Sequence, residues 1–371
     1  MLKLKNGSVE EFERETDGKK VVCFGALIMP SSFCKANRQY HFEDRIACLV
    51  DNDETKWGKK VELDNNVERK VFPPEKLREI ADDNLILLIT SRYFVSIVQQ
   101  LDAYTELNGT VCYIYPFMQY DRAYVGAYRF KNLEYELIPK KIHYIWFGNN
   151  RKPDLVNKCI ASWKKNCPDY EIIEWNEQNY DVEKNCFMKE AYEAEKWGFV
   201  SDYARLDIVS SQGGIYFDTD VELIKGIDEL LCNGAFFGFG NYGRIATGLG
   251  FGAIKGHYLI ERLKKAYKDV HFYDLKDSKN VITNTMREEP VFSSFGVEPD
   301  DSFQVIKDVA FFPADVFSPL VPGFPEPMIT KNTLAIHYGT YTWESEANRA
   351  EIGRIALEHK KMRERFKKDV V

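Results

Sequence analysis

The sequence lacks the features that mark several common protein classes. Its eight cysteines include no CxxC pair and no histidines stand at zinc spacing, which excludes a zinc finger. No apolar run approaches membrane-spanning length, and the charged opening segment MLKLKNGSVEEFERE has no signal-peptide core. The net charge of −7 gives no general basic field, so nucleic acid is not expected as a partner. We therefore expect a cytoplasmic protein with reduced thiols.

The 371 residues are 44% apolar, which is ample for two domains. In the first third, short β-branched runs bounded by turn residues are predicted to be buried strands: KKVVCFGAL, RIACLVDND, LILLIT and TVCYIY. Between the last two, apolar residues at helical spacing predict a helix that Ser91 caps and Gly109 ends. This alternation indicates a small Rossmann-like parallel α/β domain over residues 1–120.

A connector over residues 121–137 leads to a second alternating region, 138–345. Its predicted elements are strands at 141–147 and 170–175 and helices at 155–166, 187–197, 199–212 and 257–268. The last residues, 346–371, form an amphipathic helix with a basic end. We expect this helix to pack on the domain that precedes it, and a membrane-surface contact is the alternative.

The chain contains two Asp-x-Asp runs, and the first ends a strand of the N-terminal domain at Asp51 and Asp53. An acidic residue at such a place can hold ribose hydroxyls in a dinucleotide-binding unit. The first strand-to-helix turn should then read GxGxxG, but it reads GALIMP, with Leu27 at the second glycine position. A leucine there keeps backbone amides away from a pyrophosphate. We expect a scaffold domain, with nucleotide binding as the alternative.

The second run lies in GGIYFDTDVELI, residues 213–224, which is predicted to be one strand. Alternation along a strand places Tyr216, Asp218 and Asp220 on one face. Two like charges on neighbouring positions repel, so that face either meets water or meets a positive group.

Just upstream, FVSDYARLDIVSSQGG predicts a helix in which Asp202 and Arg205 are three residues apart and share a face. A glycine pair turns this helix directly into the strand with the aspartates. Carboxylates on a rigid strand suit a hard divalent cation, Mn²⁺ or Mg²⁺, that bridges to phosphate oxygens, and an arginine adds diphosphate contacts. From these residues alone, a surface salt-bridge network is the alternative.

Five segments, in this order, resemble glycosyltransferase family 32: IPKKIHYIWFG, CIASWKKNCPDYEIIEWN, FVSDYARLDIVSSQGGIYFDTDVEL, TGLGFGA and LAIHYGTYTW. The large glucosylating toxins are more distantly similar. The resemblance covers residues 138–345 and implies a GT-A fold, a Rossmann-like mixed sheet, for this region. It also implies a nucleotide-sugar donor, UDP- or GDP-linked, a divalent metal, and hexosyl transfer with retention at the anomeric carbon.

The resemblance assigns donor-binding roles to five residues. Trp146 matches the aromatic residue that stacks on the donor base, and Trp343 matches a tryptophan that closes over the donor. Asp202 and Arg205 match the pair that contacts the donor sugar and its phosphates. Asp218 matches a residue that touches the donor ribose or sugar and helps to hold the metal.

The resemblance likewise implies a metal site made by Asp218, Asp220 and His337. Asp220 matches the direct metal ligand, His337 a metal-site histidine, and Tyr216 the tyrosine before the metal motif. Tyr216 thus joins Asp202, Arg205 and the two aspartates as the expected catalytic residues. This chain departs from many relatives, because it has His337-Tyr338 where they have His-His, and Thr342-Trp343 where they have Ser-Trp. The last metal ligands therefore stay open.

The expected function is a metal-dependent retaining glycosyltransferase in surface or capsular polysaccharide synthesis. Its acceptor is expected to be a saccharide or a lipid-linked oligosaccharide at the inner membrane face. Two alternatives are an NAD-dependent sugar-nucleotide oxidoreductase that uses the N-terminal domain and a non-catalytic protein that binds nucleotide sugars.

Overall fold

The structure is a computed structural model that describes residues 1–120, 128, 135–272, 283–321, 324, 326–340 and 346–368. The chain divides into two compact units. The N-terminal unit consists of Met1–Val125, Val321–Glu326 and Ala350–Val371, and the second unit of Gly126–Leu320 and Pro327–Arg349. Each unit has its own seven-stranded sheet. The predicted α/β class with two sheet domains is confirmed.

The sheet of the N-terminal unit is parallel except at one edge. Its strands are β1 (Lys3–Lys5), β2 (Lys20–Phe24), β3 (Ile46–Val50), β4 (Lys60–Glu62), β5 (Glu68–Phe72), β6 (Leu85–Ile89) and β7 (Val111–Ile114). Their order is β1-β7-β6-β2-β3-β5-β4, and only β4 and β5 pair antiparallel. The four predicted strands are confirmed as β2, β3, β6 and β7. β4 and β5 were missed because they are largely charged and half exposed, with no apolar run.

The helices of this unit alternate with its strands along the chain. They are α1 (Val9–Glu15), α2 (Ile28–Lys35), α3 (Phe42–Arg45), α4 (Lys76–Ile80), α5 (Phe94–Asp102) and α6 (Tyr115–Tyr120). The predicted limits of α5 were wrong. Ser91 accepts a hydrogen bond from the Tyr93 amide before the helix begins, and the chain leaves the helix at Ala103, ahead of Gly109.

The second unit contains a mixed sheet and a small two-stranded sheet. Its strands are β8 (Lys141–Ile145), β9 (Glu171–Trp175), β10 (Gly214–Tyr216), β11 (Val221–Leu223), β12 (Ala235–Gly238), β13 (Phe251–Ala253), β14 (Gln304–Ile306), β15 (Val309–Phe312) and β16 (Ala335–His337). The large sheet has the order β14-β15-β12-β13-β10-β8-β9, while β11 and β16 pair antiparallel by themselves.

The remaining helices are α7 (Asp154–Asn166), α8 (Cys186–Glu193), α9 (Trp197–Gln212), α10 (Tyr258–Lys265), α11 (Asn284–Phe295), α12 (Ala314–Phe317) and α13 (Glu346–Lys368). The strands and helices predicted at 141–147, 155–166, 170–175, 187–197, 199–212 and 257–268 are confirmed within a few residues. None of the helices in the described ranges combines the length and the apolar composition that a membrane crossing needs.

Helix α13 corrects one expectation. From Ala350 onward it belongs to the N-terminal unit, not to the domain that precedes it in sequence. The reason is His359, which is buried, stacks on the Phe94 ring at 4.0 Å and places Nε2 2.8 Å from the Arg92 carbonyl oxygen. Ile355 and Met362 are buried on the same helix, as the predicted amphipathic character requires.

The segment 213–224 is not the single strand that alternation predicted. β10 pairs with β8 and β13 in the large sheet, whereas β11 pairs with β16 in the small one. Between them the Val221 amide donates to the Asp218 carbonyl at 3.1 Å and closes a turn. Asp218 and Asp220 therefore lie in the turn that joins two sheets, and the argument from a shared strand face does not hold.

The large sheet of the second unit is buried on both faces. Along β10, Ile215 packs in one apolar cluster and Tyr216 in the other. Along β12, Phe236 and Phe237 alternate in the same way. A strand buried on both sides has little freedom to shift, so the sheet fixes the position at which β10 releases the chain into the aspartate turn.

His143 ties the start of this turn region to the sheet. Its Nε2 lies 2.8 Å from the Gly213 carbonyl oxygen, and Trp175 Nε1 donates to Nδ1 at 3.1 Å. Because an indole N–H only donates, Nδ1 accepts and Nε2 carries the proton. A side chain on Gly214, at φ +106°, would lie 2.9 Å from this nitrogen, so glycine is required there. Burial lowers the pKa of His143 to about 4.

We predict that this histidine makes the protein less stable in acid. The unfolded chain binds its proton near pH 6.5 and the folded chain only near pH 4. The stability is therefore present above pH 6.5 and is lost as the pH falls, by roughly 2–3 kcal/mol between pH 7.5 and 4.5. Urea unfolding at both pH values measures this loss. His143→Gln, which keeps a donor and an acceptor but does not titrate, should lose less; an identical pH dependence would contradict the assignment.

Candidate functional site

The structure brings six of the predicted site residues into one chain of contacts in the second unit. Helix α9 carries Asp202 and Arg205, and the end of β10 carries Tyr216. The turn after β10 carries the two aspartates, and β16 supplies His337 from the C-terminal part of the unit. Helix α9 ends at Gln212, and Gly213 alone joins it to β10, which begins at Gly214.

Arg205 is the centre of the helical half of the site, and it is only 3% exposed. Its Nη2 lies 3.1 Å from Asp202 Oδ1 and 3.4 Å from Asp218 Oδ1. Arg205 Nε donates to the Ser201 carbonyl at 3.0 Å, and Nη2 donates to the Ser201 hydroxyl at 2.9 Å. The guanidinium also lies 5.2 Å from the Tyr216 ring centroid. The positive group expected against the aspartates is therefore this guanidinium for Asp218, whereas Asp220 contacts His337.

The carboxyl groups around Arg205 are buried, and their pKa values respond to it. Burial raises the pKa of Asp202 to about 7, with Arg205 opposing and Asp218 reinforcing the rise. Glu288 of α11 is fully buried, accepts from Thr247 Oγ1 at 3.0 Å and from the Tyr267 hydroxyl at 2.9 Å, and burial raises its pKa to about 8. Burial therefore favours the protonated forms of these two carboxyl groups, and Arg205 offsets that effect only in part.

Asp218 is held by its Oδ1 atom. The Tyr216 hydroxyl donates to Oδ1 at 2.8 Å, and the Asp218 amide donates to the Gly248 carbonyl at 3.0 Å. Burial raises the pKa of Asp218, and Arg205 opposes this rise. A side chain on Gly248 would come within 2.3 Å of Oδ2, so the space beside that oxygen depends on glycine.

Asp220 has partners at both of its carboxylate oxygens. Thr340 donates to Oδ2 from both its amide and its hydroxyl at 2.8 Å, and Oδ1 lies 3.4 Å from His337 Nε2. Burial favours the neutral acid, but the contacts with His337 and Thr340 outweigh it and hold the pKa of Asp220 well below its usual range. Asp220 is thus ionised at neutral pH.

The residues present fit a divalent cation. One ligand atom each from Asp218, Asp220 and His337 lie within 4.8 Å of one another. Two carboxylates and an imidazole are a donor set that Mn²⁺ accepts, and a cation there would offset the repulsion between the carboxylates.

Tyr338 stands where the resemblance places a second histidine in many relatives. Its hydroxyl donates to Glu222 at 2.5 Å and accepts from Lys158 Nζ at 3.0 Å.

The two tryptophans have different outcomes. Trp146 directly follows β8, which runs parallel to β10, so it lies at the same sheet edge as the aspartate turn. It is half-buried and donates Nε1 to the Asn150 carbonyl at 2.8 Å, and Lys152 Nζ lies 5.7 Å from its ring centroid. Trp343 and Thr342 lie outside the described residues.

Three residues of the site were not predicted. Thr340 anchors Asp220 and stands in the quoted segment LAIHYGTYTW, where a hydroxyl two residues after the tyrosine was the available signal. Gly248 stands in TGLGFGA, and the glycine itself was the signal for close approach. Glu288 gave no signal, because α11 was not predicted and an acidic residue in a polar stretch normally faces water.

The first Asp-x-Asp run makes a contrasting set of contacts in the N-terminal unit. Asp51 Oδ2 accepts from the Ala26 amide at 2.7 Å and from Lys56 at 3.0 Å. Asp53 accepts from the Thr55 amide and caps a short 3₁₀ turn. These local contacts engage both carboxylates and do not favour the NAD-binding alternative.

Comparison with known proteins finds a match for the segment that contains the second Asp-x-Asp run. Residues 153–237 match the family model described as "Glycosyltransferase sugar-binding region containing DXD motif". The chain is also 27% identical over 111 residues to the Subversion of eukaryotic traffic protein A of Legionella pneumophila. That match covers 23% of this chain and only 17% of the length of the relative.

Two solved structures are similar in part. The first, "PaToxG Glycosyltransferase", has a TM-score of 0.34 at 18% identity over 42% of this chain and 69% of its own. The second is a glycosyltransferase involved in the glycosylation of the major capsid of PBCV-1, with a TM-score of 0.32 at 15% identity over 57% of this chain and 97% of its own. The family match therefore shows that residues 153–237, which include Asp218 and Asp220, are similar to the DXD-containing sugar-binding region of glycosyltransferases.

Proposed function

We propose that the second unit is a metal-dependent retaining glycosyltransferase of the GT-A type, related to family 32. It would move a hexose from a UDP- or GDP-linked donor to a saccharide or lipid-linked acceptor in surface or capsular polysaccharide synthesis. One observation carries the proposal. The matched region contains the Asp-x-Asp turn, and its two aspartates form a ligand cluster with His337 of β16, next to the buried Arg205.

A divalent cation, Mn²⁺ or Mg²⁺, held by Asp218, Asp220 and His337 would supply Lewis-acid stabilisation of the charge on the donor diphosphate. Hydrogen bonds within the protein already orient both carboxylates of this site. Thr340 fixes the orientation of one carboxylate and Tyr216 that of the other. Preorganised ligands need no rearrangement when the cation binds.

Arg205 is proposed to act as a fixed cation in the reaction. The bond between the anomeric carbon and the donor phosphate oxygen breaks, and a bond from that carbon to the acceptor oxygen forms on the same face. The acceptor proton passes to the departing phosphate oxygen, so no strong protein base is needed. A buried guanidinium stabilises the negative charge that develops on the diphosphate more than a solvated one would.

The other residues are proposed to bind and orient the donor. Asp202, held by Arg205 at 3.1 Å, would accept hydrogen bonds from sugar hydroxyls. Trp146, at the same sheet edge, would stack on the base, and Trp343 would close over the donor. A non-catalytic nucleotide-sugar-binding protein is the second candidate, and donor turnover separates the two.

We predict that Asp220→Asn abolishes most of the activity. The change removes the negative charge of the Asp220 carboxylate, which His337 and Thr340 keep ionised. We therefore expect donor hydrolysis or transfer to fall by about 10³-fold or more. The measurement is a turnover screen across UDP- and GDP-sugars with Mn²⁺. A second readout, free Mn²⁺ followed by electron paramagnetic resonance, should show weaker binding.

Asp53→Asn is the matched control, because it makes the same change in the other Asp-x-Asp run. It should leave both turnover and Mn²⁺ binding unchanged. Wild-type turnover and Mn²⁺ affinity in Asp220→Asn protein, with an unchanged melting temperature, would refute the ligand assignment. Donor binding without turnover in the wild type would instead favour the binding protein.

We also predict that Arg205→Lys lowers kcat by about 10²-fold, because an ammonium cannot contact Asp202, Asp218 and the diphosphate from one planar group. Steady-state kinetics with a saturating donor measures this loss. Arg354→Lys is the control, because this arginine is exposed and pairs with two glutamates, and the change should leave kcat at the wild-type value. An equal kcat in Arg205→Lys protein would rule out the role of the guanidinium in stabilising the transition state.

A further inference from the structure

A second group of ligand-type side chains lies in the N-terminal unit, outside the site described above. His41 directly precedes helix α3, and Glu43 and Asp44 belong to its first turn. One ligand atom from each of the three lies within 4.8 Å of the others. An imidazole beside two carboxylates is a donor set that metal ions of the zinc class accept.

Glu43 provides an independent sign of a missing ligand. The residue is 1% exposed, yet its Oε2 is buried without a hydrogen-bond partner among the residues that the structure describes. Buried polar atoms in proteins are nearly always paired. The other oxygen, Oε1, lies 3.4 Å from His41 Nδ1 and also accepts from Asn65. The buried carboxylate therefore lies beside the imidazole with one of its two oxygens left to bind a further ligand.

The geometry needs little adjustment to hold an ion. Two ligands at 2.0–2.1 Å from a tetrahedral Zn²⁺ lie about 3.3 Å apart, close to the observed separation of His41 and Glu43. The side chain of His41 is 69% exposed and Asp44 is exposed, so an ion can enter from solvent. Water can then complete the coordination.

Neighbouring side chains hold the buried ligand in place. Asn65 Nδ2 donates to Glu43 Oε1 at 2.8 Å, and Arg69 Nη2 donates to the Glu43 carbonyl oxygen at 2.8 Å. Such partners orient the groups that coordinate a metal. By contrast, His41 is held mainly by its backbone, which is left-handed at φ +50°.

We propose that His41, Glu43 and Asp44 form a binding site for a divalent cation of the zinc class on the N-terminal unit. This site is independent of sugar transfer, because it shares no residue with the Asp218, Asp220 and His337 cluster.

The test is calorimetric titration of the full chain with Zn²⁺ in the Asp220→Asn background, which weakens the other cluster. We expect binding that His41→Gly and Glu43→Gln each weaken by about tenfold or more. Glycine is chosen at position 41 because it accepts the left-handed backbone without strain, so the variant removes the imidazole alone. Circular dichroism checks that both variants are folded.

His271→Gly is the matched control, because His271 also lies beside a glutamate, with Nδ1 2.6 Å from Glu190 Oε1. It should bind Zn²⁺ as the background protein does. Equal Zn²⁺ affinity in the His41→Gly and His271→Gly proteins, or no binding in the Asp220→Asn background, would overturn the proposal. Neither result bears on glycosyl transfer, which Asp220→Asn tests by itself.

Discussion

Arg205 places its guanidinium between two carboxylates, the buried Asp202 and the half-buried Asp218, and the rest of the candidate site follows from these ion pairs. A charge this deeply buried is costly unless it is paired, and its partners are equally costly without it. The pairing fixes α9 against the end of β10. It thereby sets the point from which the aspartate turn begins, and leaves Asp220 to meet His337 from the other side.

The two Asp-x-Asp runs show that a short motif acquires its chemistry from its surroundings. Asp51 and Asp53 satisfy nearby amides and a lysine, as acidic residues after a strand commonly do. Asp218 and Asp220 instead face groups from α9 and β16. Backbone amides and Lys56 engage the first pair, whereas the second pair lies with ligand atoms of both carboxylates close together.

Much of the fold could be predicted from local pattern, because β2, β3, β6 and β7 are continuous apolar runs and a glycine pair marks the end of α9. The spacing of Asp202 and Arg205 was enough to place them on one face. The break between β10 and β11 could not be predicted, because it depends on pairing with β16 far along the chain. The same holds for Thr340 and Gly248, whose contacts with the aspartates are tertiary.

The small sheet of β11 and β16 has a consequence for how the protein matures. Thr340 and Asp220 are 120 residues apart in sequence, and Val221 lies opposite His337 in the ladder. During synthesis the acidic turn emerges well before the strand that completes it. Until that late strand docks, Asp220 lacks the imidazole and the hydroxyl that orient it, so the proposed cation site is complete only when the two ends of this unit have come together.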